Sequence, residues 1–539
     1  MPKYSDGKEI HVAEWNRLIE SIPASYTIWK DGTTYRAESL LSSCVDYDSL
    51  DASTVIQDAI DALSGGGGVV FIKEGTYPIN TAINGNNAGI ELVGAGRNNT
   101  IIQINCDYPL KLSAGAIFRN LQFTSPTTYY KSWFRQKTST ALIEDVVVEN
   151  CLFTGKGGSR IFDLNWNADA AYGRKWVFKN NIFKDLIIKD PTKNPGDDQL
   201  AYGLYINAKD VLIEGNLFDN VQTRTGIIVN YNSSNVNIVN NMCRNFNAIS
   251  SDSQPIFLYE NNLKNINVEG NTFFWDTNPS YRVDCSVLVT CIYGTGDLNI
   301  NIIGNTMTSD VTFDQMWHGI YLHGTIDYVP RKLVIMGNSI YGLYGKGITS
   351  GYGCADSIIS NNNIKNVGSE GILLDDGGGT LCARNIIANN IIRNPNRRNL
   401  DLTTTEGAGL HISGHYNLIS GNSITDETPY QRYAIYSPGT YNRIIDNVVS
   451  GAVTGLIITG DPNTIIKRNF GYVTESKGSG TGNGAEQTIA HGLAQIPNNV
   501  SVVPTVTGAT VTSVWADATN IYCTVTNGKT YNWTAETYG

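Results

Sequence analysis

The sequence predicts an all-β solenoid, a ribbon of short strands wound into stacked coils. One observation is an asparagine that recurs in a fixed frame: apolar, two residues, Asn, one residue, apolar. It stands at Asn120, Asn150, Asn181, Asn216, Asn241, Asn271, Asn305, Asn338, Asn362, Asn390, Asn422, Asn447 and Asn469. The spacing is irregular but stays near ~30 residues, within the range of stacked repeats. Another is the chemistry of the flanking positions. Three residues before each Asn sits a residue such as Ile117, Val147, Phe178, Ile213 or Ile335, and two after most sits one such as Leu152, Phe183, Phe218 or Ile340. β-Branched and aromatic residues suit a half-buried pleated surface, and Asn suits the sharp turn between two strands. The third is a further strand ahead of each frame, as in Gly203-Leu-Tyr-Ile, Gly319-Ile-Tyr-Leu, Gly371-Ile-Leu-Leu and Gly409-Leu-His-Ile. Coils stack about 4.8 Å apart, so an Asn repeated at one turn can bond to the Asn above and below it.

Residues 1–46 lack this frame and read as an N-terminal extension. Glu9–Glu20 predicts a short helix with Ile10, Trp15, Leu18 and Ile19 apolar, too short to stand alone in water. Ser25–Ala37 alternates around Asp31-Gly32, a hairpin signal. Two readings stay open for this extension: part of a solenoid cap, or an attachment piece. The solenoid is expected over residues 47–470. Asp51–Leu63 predicts an amphipathic helix, Gly65–Tyr77 a first strand and turn, and Ile90–Gly96 the next coil.

This opening, Asp51-Ala-Ser-Thr-Val-Ile-Gln-Asp-Ala-Ile followed by Gly65-Gly-Gly-Gly-Val-Val-Phe-Ile, resembles that of right-handed parallel β-helix proteins of the pectate-lyase-like superfamily, bacteriophage tailspikes among them. The resemblance implies an all-β, right-handed parallel β-helix whose open end is closed by the N-terminal capping helix. It implies a polysaccharide partner, a homotrimer and, for the N-terminal extension, virion attachment. One fold hosts many functions, so activity does not follow from it.

After Asn469 the pattern changes. Ser476-Lys-Gly-Ser-Gly-Thr-Gly-Asn-Gly484 reads by composition as part of a flexible linker, 471–484. Alternating stretches then predict a small C-terminal β-sandwich over 485–539, marginal as a lone core. His491-Gly-Leu-Ala-Gln-Ile-Pro497 is similar to the start of small C-terminal domains of phage tail fibres, which implies trimerisation or receptor or carbohydrate binding. His491 itself reads as a turn residue.

The net charge of −10 argues against nucleic acid and anionic membranes as partners. Nine cysteines form no C-x-x-C pair, which argues against a disulfide framework or zinc ribbon. The N-terminus lacks the apolar region of a signal peptide, and no stretch is long enough to span a bilayer. The expected location is a virion tail or the extracellular space, without membrane insertion. No cofactor or metal is expected.

Alternation in the third strand series projects two outward columns. Tyr205, Phe257, Tyr321, His411 and Tyr436 fall in one, and Asn207, Asn230, Tyr259, His323 and Asp375 in the other. Rings interleaved with amides can stack on pyranose faces and bond their hydroxyls. Tyr205, Asn207, Asn230, Phe257, Tyr259, Tyr321 and Tyr436 are therefore the expected sugar-binding residues, with burial under loops or against a second subunit as the alternative. For catalysis, Asp375 and Asp376 could divide acid and base roles in glycosidic hydrolysis, with His323 and His411 assisting. A solvated Asp-Gly turn is the plainer reading of that pair. Trp317-His-Gly and Leu322-His-Gly only echo polygalacturonase motifs, and the calcium and Lys/Arg patterns of pectate lyases are absent. The expected function is a depolymerase hydrolysing a cell-surface polysaccharide. A non-catalytic adhesin or tail fibre of the same fold, and a secreted polysaccharide lyase, are the alternatives.

Overall fold

A computed structural model describes residues 25–539 except 41, 43, 64, 86–88, 113–114, 137–141, 165–172, 190–200, 231, 249–252, 260–262, 278–282, 292–296, 311–315, 378–381, 399–406, 429 and 538–539. The expected helix Glu9–Glu20 lies outside them. The fold is a right-handed parallel β-helix, divided into two units, Met1–Asp284 and Cys285–Gly539.

In the first unit, Tyr26–Asp31 and Thr34–Ser39 form the hairpin expected at Asp31-Gly32, with Gly32 at φ 62°. Tyr26–Asp31 also pairs in parallel with Gly68–Ile72, which ties this part of the extension to the first coil. The helix Ala52–Ala62 starts at Asp51, whose carboxylate accepts the Ser53 N–H. Its Val55, Ile56, Ala59 and Ile60 are buried. Ile60 meets Ile83, Ile90, Leu92 and Phe118 around an apolar cavity of about 30 Å³, so the helix closes the end of the core as expected.

Each later coil of this unit gives one strand to each of three parallel sheets. Gly173–Lys179 precedes the frame Asn, Ile182–Ile188 follows it, and Tyr202–Ile206 is the third strand. The next coil sets Ile213 against Phe178, Phe218 against Phe183 and Ile227 against Leu204. Inside, Phe123, Phe153, Phe183 and Phe218 stack face to face at 4.6–5.3 Å, one ring per coil.

The second unit repeats the plan with shorter strands, such as Ile358–Ser360, Asn363–Lys365 and Ile372–Leu374. Here Ile340, Ile364, Ile392 and Ile424 replace the phenylalanine column, and all are buried.

The frame asparagines form hydrogen-bonded ladders. In the first unit Asn181, Asn216 and Asn241 each donate through backbone N–H and Nδ2 to Oδ1 of the next Asn, ending at Asn271. In the second, Asn305, Asn338, Asn362, Asn390, Asn422 and Asn447 do the same, ending at Asn469. The other Nδ2 hydrogen meets a backbone carbonyl one coil back, as from Asn390 to Ile359. Every polar atom of such an amide is used, so a buried Asn carries no desolvation penalty of the unpaired kind. Asn385, Asn417 and Asn442 build a further ladder of the same design.

Two expectations are corrected. Asn120 and Asn150 lie outside the buried ladder, although Asn150 Nδ2 donates to Asn120 Oδ1. They occupy the preceding left-handed position, at φ 57° and 53°, and Leu121 and Cys151 stand at the ladder site. The buried residues there are Phe118, Val148 and Phe153, whereas Ile117, Val147 and Leu152 are only partly covered. The expected linker is also replaced by structure: Glu475–Thr481 is a strand paired antiparallel with Thr530–Glu536. Its glycines serve packing. A Cβ at Gly478 would meet the Trp533 ring at 2.7 Å, and one at Gly480 the Tyr531 ring. The C-terminal sandwich thus begins at Glu475, as two three-stranded antiparallel sheets around Ile521, Cys523, Val525, Tyr531 and Trp533. All nine cysteines are free. No helix among the described residues is long and apolar enough to cross a membrane.

Candidate functional site

The third sheet carries the outward columns in the expected register. In the first unit Tyr205 pairs with Ile228 and Ile228 with Phe257. In the second, Tyr321, Thr349, Leu373, His411 and Tyr436 follow one another.

The two stretches differ in cover. Tyr205, Asn207, Asn230 and Phe257 are 7%, 0%, 3% and 6% exposed, so they are buried where open sugar-binding groups were expected. The Arg160 guanidinium lies 4.4 Å over the Tyr205 ring and pairs with Asp163 at 2.6 Å, while Asn230 Nδ2 donates to the Tyr205 hydroxyl. Burial pushes the Tyr205 phenol up. Tyr259, half-buried, meets the Phe257 ring edge-on at 4.9 Å.

In the second unit a different group emerges from one position of the same strands. His318-Gly319-Ile, Lys346-Gly347-Ile and Glu370-Gly371-Ile place an ionisable residue just ahead of each strand's glycine. Successive coils set these beside one another: Gly319 N–H bonds to Lys346 O, and Gly347 N–H to Glu370 O. The glycines are needed because a Cβ on Gly319, Gly347 or Gly371 would strike the carbonyl of the adjacent coil at 2.6–2.7 Å.

Glu370 is the group that the sequence reading missed. It is 1% exposed, accepts a hydrogen bond from Ser369 Oγ, and lies 3.7 Å from Lys346 Nζ and 3.9 Å from His411 Nδ1. Burial pushes its carboxyl up, but His411, Lys346 and Ser369 together outweigh that and hold it below the usual glutamate range. It is therefore an ionised carboxylate in a nearly dry position. The 3.9 Å approach to His411 is too long for a hydrogen bond in this state. His411 Nε2 lies 3.2 Å from Ser413 Oγ.

Rings flank this carboxylate. His411 meets Tyr436 edge-on at 4.8 Å, Tyr433 stacks on Tyr436 at 5.2 Å, and Arg432 lies 4.8 Å over Tyr433. Arg432 Nε and Nη1 are buried with no hydrogen-bond partner. On the other side His318 contacts Tyr321 at 5.5 Å and Trp317 at 5.8 Å, and Trp317 leads to Tyr344, over which Arg398 sits at 4.1 Å. Tyr344 and Arg398 line a cleft of about 430 Å³ with Asp310, Tyr341, Asn366 and Arg397.

The other expected catalytic residues lie farther along. Asp375 Oδ1 accepts the Gly377 N–H and its own N–H bonds to Ser350 Oγ, which is the turn reading. Asp376 follows it, partly exposed, at the same strand end. His323 Nδ1 lies 3.1 Å from the Tyr321 hydroxyl, and burial pushes its pKa down. His415 is a turn residue, accepting the Thr440 N–H. Glu370 precedes and Asp375 follows the strand Ile372–Leu374, which sets their backbone positions roughly 16 Å apart. Paired glycosidase carboxylates lie about 5–9.5 Å apart.

The chain is similar in structure to a mutant tailspike protein of the E. coli bacteriophage HK620, at 11% identity and a TM-score of 0.52, covering 98% of this chain and 100% of that one. A second mutant of that tailspike, solved with a pentasaccharide, matches at 14% identity and 0.51, covering 90% of each. A mannuronan C-5 epimerase module of Azotobacter vinelandii matches at 14% identity and 0.38, covering 78% of this chain and 95% of that one. The tailspike likeness shows the fold. A family model described as periplasmic copper-binding protein (NosD) matches residues 292–465. No group of three or more His, Cys, Asp or Glu among the described residues is arranged to hold a metal ion. No curated protein matches the sequence significantly.

Proposed function

We propose that this chain is a tailspike-like polysaccharide-binding protein whose glycan lies across the third sheet of the second unit, between the Tyr344–Trp317 wall and the Tyr433–Tyr436 stack. One observation carries this reading: Glu370, ionised and almost fully buried, stands amid these rings. A buried carboxylate costs free energy unless it is paired, and such groups cluster at functional sites. Tyrosine and tryptophan faces suit the CH-rich faces of sugars.

In this reading the protein hydrolyses the glycan. Glu370 takes a proton from the water that attacks the anomeric carbon, and His411, oriented by Ser413, gives a proton to the leaving glycosidic oxygen as the glycosidic bond breaks. Asp375 and Asp376 stand at the far edge of the site and hold hydroxyls. A non-catalytic adhesin is the second reading, favoured by the roughly 16 Å between the backbone positions of Glu370 and Asp375, which argues against the usual carboxylate pair. A homotrimer attached to a virion through residues 1–46 completes the tailspike reading, and light scattering tests it, a monomer counting against it. The deciding experiment incubates capsular and cell-wall glycans with wild type and Glu370→Gln and follows both binding and new reducing ends. Binding with cleavage lost in Glu370→Gln is expected. Binding without cleavage in wild type selects the adhesin, and no binding to any glycan rejects both.

A further inference from the structure

The C-terminal sandwich holds a feature that the central site does not use. Its outer sheet is built from Glu486–Ala490, Asn520–Val525 and Val511–Ala516, in the order first, second, third. Ile521, Cys523 and Val525 point inward and are fully buried. The alternate residues face outward, and register places Thr488, Tyr522 and Trp515 in one row, with Glu486 and Thr524 in the row beside it. Trp515 is 48% exposed, whereas Trp533 and Tyr531 of the same domain are 7% and 2% exposed.

The exposed ring is held rigidly. Trp515 stacks on Tyr522 at 3.9 Å with 9° between planes. Its Nε1 donates to Glu486 Oε2 at 3.1 Å, and the Tyr522 hydroxyl donates to Asp517 Oδ2 at 2.8 Å. Asp517 is itself fixed by the N–H groups of Thr519 and Asn520. Val511–Ala516 is an edge strand, so no further strand of this sheet covers the face of Trp515 opposite Tyr522.

We infer that this outer face is a second sugar-binding site, at which a neutral pyranose stacks on the free face of Trp515 while its hydroxyls bond to Glu486 and Asp517 at the ring's edge. The physical case rests on three properties. The ring is flat and preorganised, so little ordering entropy is lost on binding. It is an apolar island among polar groups, matching a molecule with one CH-rich face and a hydroxyl rim; a subunit interface calls for a contiguous apolar area. Two carboxylates flank it, which disfavours uronates and other acidic sugars by charge repulsion. The exposed Val503 belongs to a strand of the other sheet, and Val514, 37% exposed on the same edge strand, pairs with the inward Cys523, so neither is part of this face.

The test uses the full-length chain in affinity electrophoresis against neutral polysaccharides (dextran, mannan, galactan) with polygalacturonate as the acidic control. Retardation by at least one neutral polymer and none by polygalacturonate is expected. Trp515→Ala should weaken it about tenfold, Trp515→Phe should restore part of it, and Glu370→Gln should leave it intact. Unfolding midpoints should be unchanged in both Trp515 variants, and solution mass in all three. Retardation that is absent in wild type, equal in Trp515→Ala, or lost in Glu370→Gln alone overturns the second site. So does a fall in oligomeric mass in Trp515→Ala, which assigns the ring to a subunit contact.

Discussion

The outer faces of the third sheet in the two units are built on the same coil plan but end in opposite states. In the first unit Arg160, Asp163, Tyr205 and Asn230 are bonded to one another under cover, with the neutral Asn230 Oδ1 left without a partner. In the second, Glu370 is buried beside Lys346 and His411, Arg432 keeps two nitrogens without partners, and Trp317, Tyr344 and Tyr436 remain partly open. A covered cluster whose charges are paired is a structural device. One that leaves a guanidinium without hydrogen-bond partners beside partly open rings is prepared for a ligand. Strand register alone does not distinguish the two, because it aligns the column in both.

The sharpest test of the shared scaffold is the ladder. Asn241→Ala in the first unit and Asn390→Ala in the second each remove an amide serving both neighbouring coils. Each should cost about 4 kcal/mol by denaturant unfolding, since several buried donors and acceptors lose their partners at ~1–3 kcal/mol apiece. Asn235→Ala, on an exposed ladder but at φ 55°, should cost about 1 kcal/mol. Unequal costs for Asn241 and Asn390 would break the claim of one scaffold.

The contrast in function is tested next. Glu370→Gln should lower cleavage at least about 100-fold, while Asp163→Asn should leave cleavage unchanged and lower stability. A smaller effect is expected from the rings: Tyr436→Ala should weaken glycan binding about tenfold, whereas Tyr205→Ala should reduce the unfolding midpoint and spare affinity. Reversal of that pattern would move the site to the first unit.

The smallest effect concerns pH. Glu370 is held below the usual glutamate range, so in acid the unfolded chain binds its proton before the folded one does. Its contribution to stability is therefore complete above the unfolded value, about 4.3, and fades as pH falls toward the lower folded value. His323 has the same sign: its folded pKa is depressed, so its contribution fades as pH falls below about 6.5. Unfolding midpoints of wild type and Glu370→Gln should converge on acidification. Midpoints that diverge there would contradict the sign.

Much of the fold was legible because the ladder asparagines and column glycines are demanded by contacts between coils, and those contacts recur in the sequence. Asn120 and Asn150 misled because the left-handed position next to the ladder also favours Asn, while Leu121 and Cys151 fill the ladder site itself. The linker reading failed because glycine marks both flexibility and close packing, and only the rings of Trp533 and Tyr531 decide between them. The site was legible only in part. His411 and Tyr436 lie on outward columns, but their neighbour Glu370 stands before the strand, outside the alternation. The signal that could have found it was His318-Gly, Lys346-Gly and Glu370-Gly, an ionisable residue in one frame over three coils. Exposure of Tyr205 and Phe257 depended on cover that alternation does not encode.

The most direct measurement compares Glu370→Gln with the double variant Asp375→Asn, Asp376→Asn on a polysaccharide that wild type cleaves, reading new reducing ends and calorimetric binding together. Cleavage should vanish in Glu370→Gln with binding kept, and persist in the double variant. Full cleavage by Glu370→Gln, or its loss only in the double variant, would contradict the account.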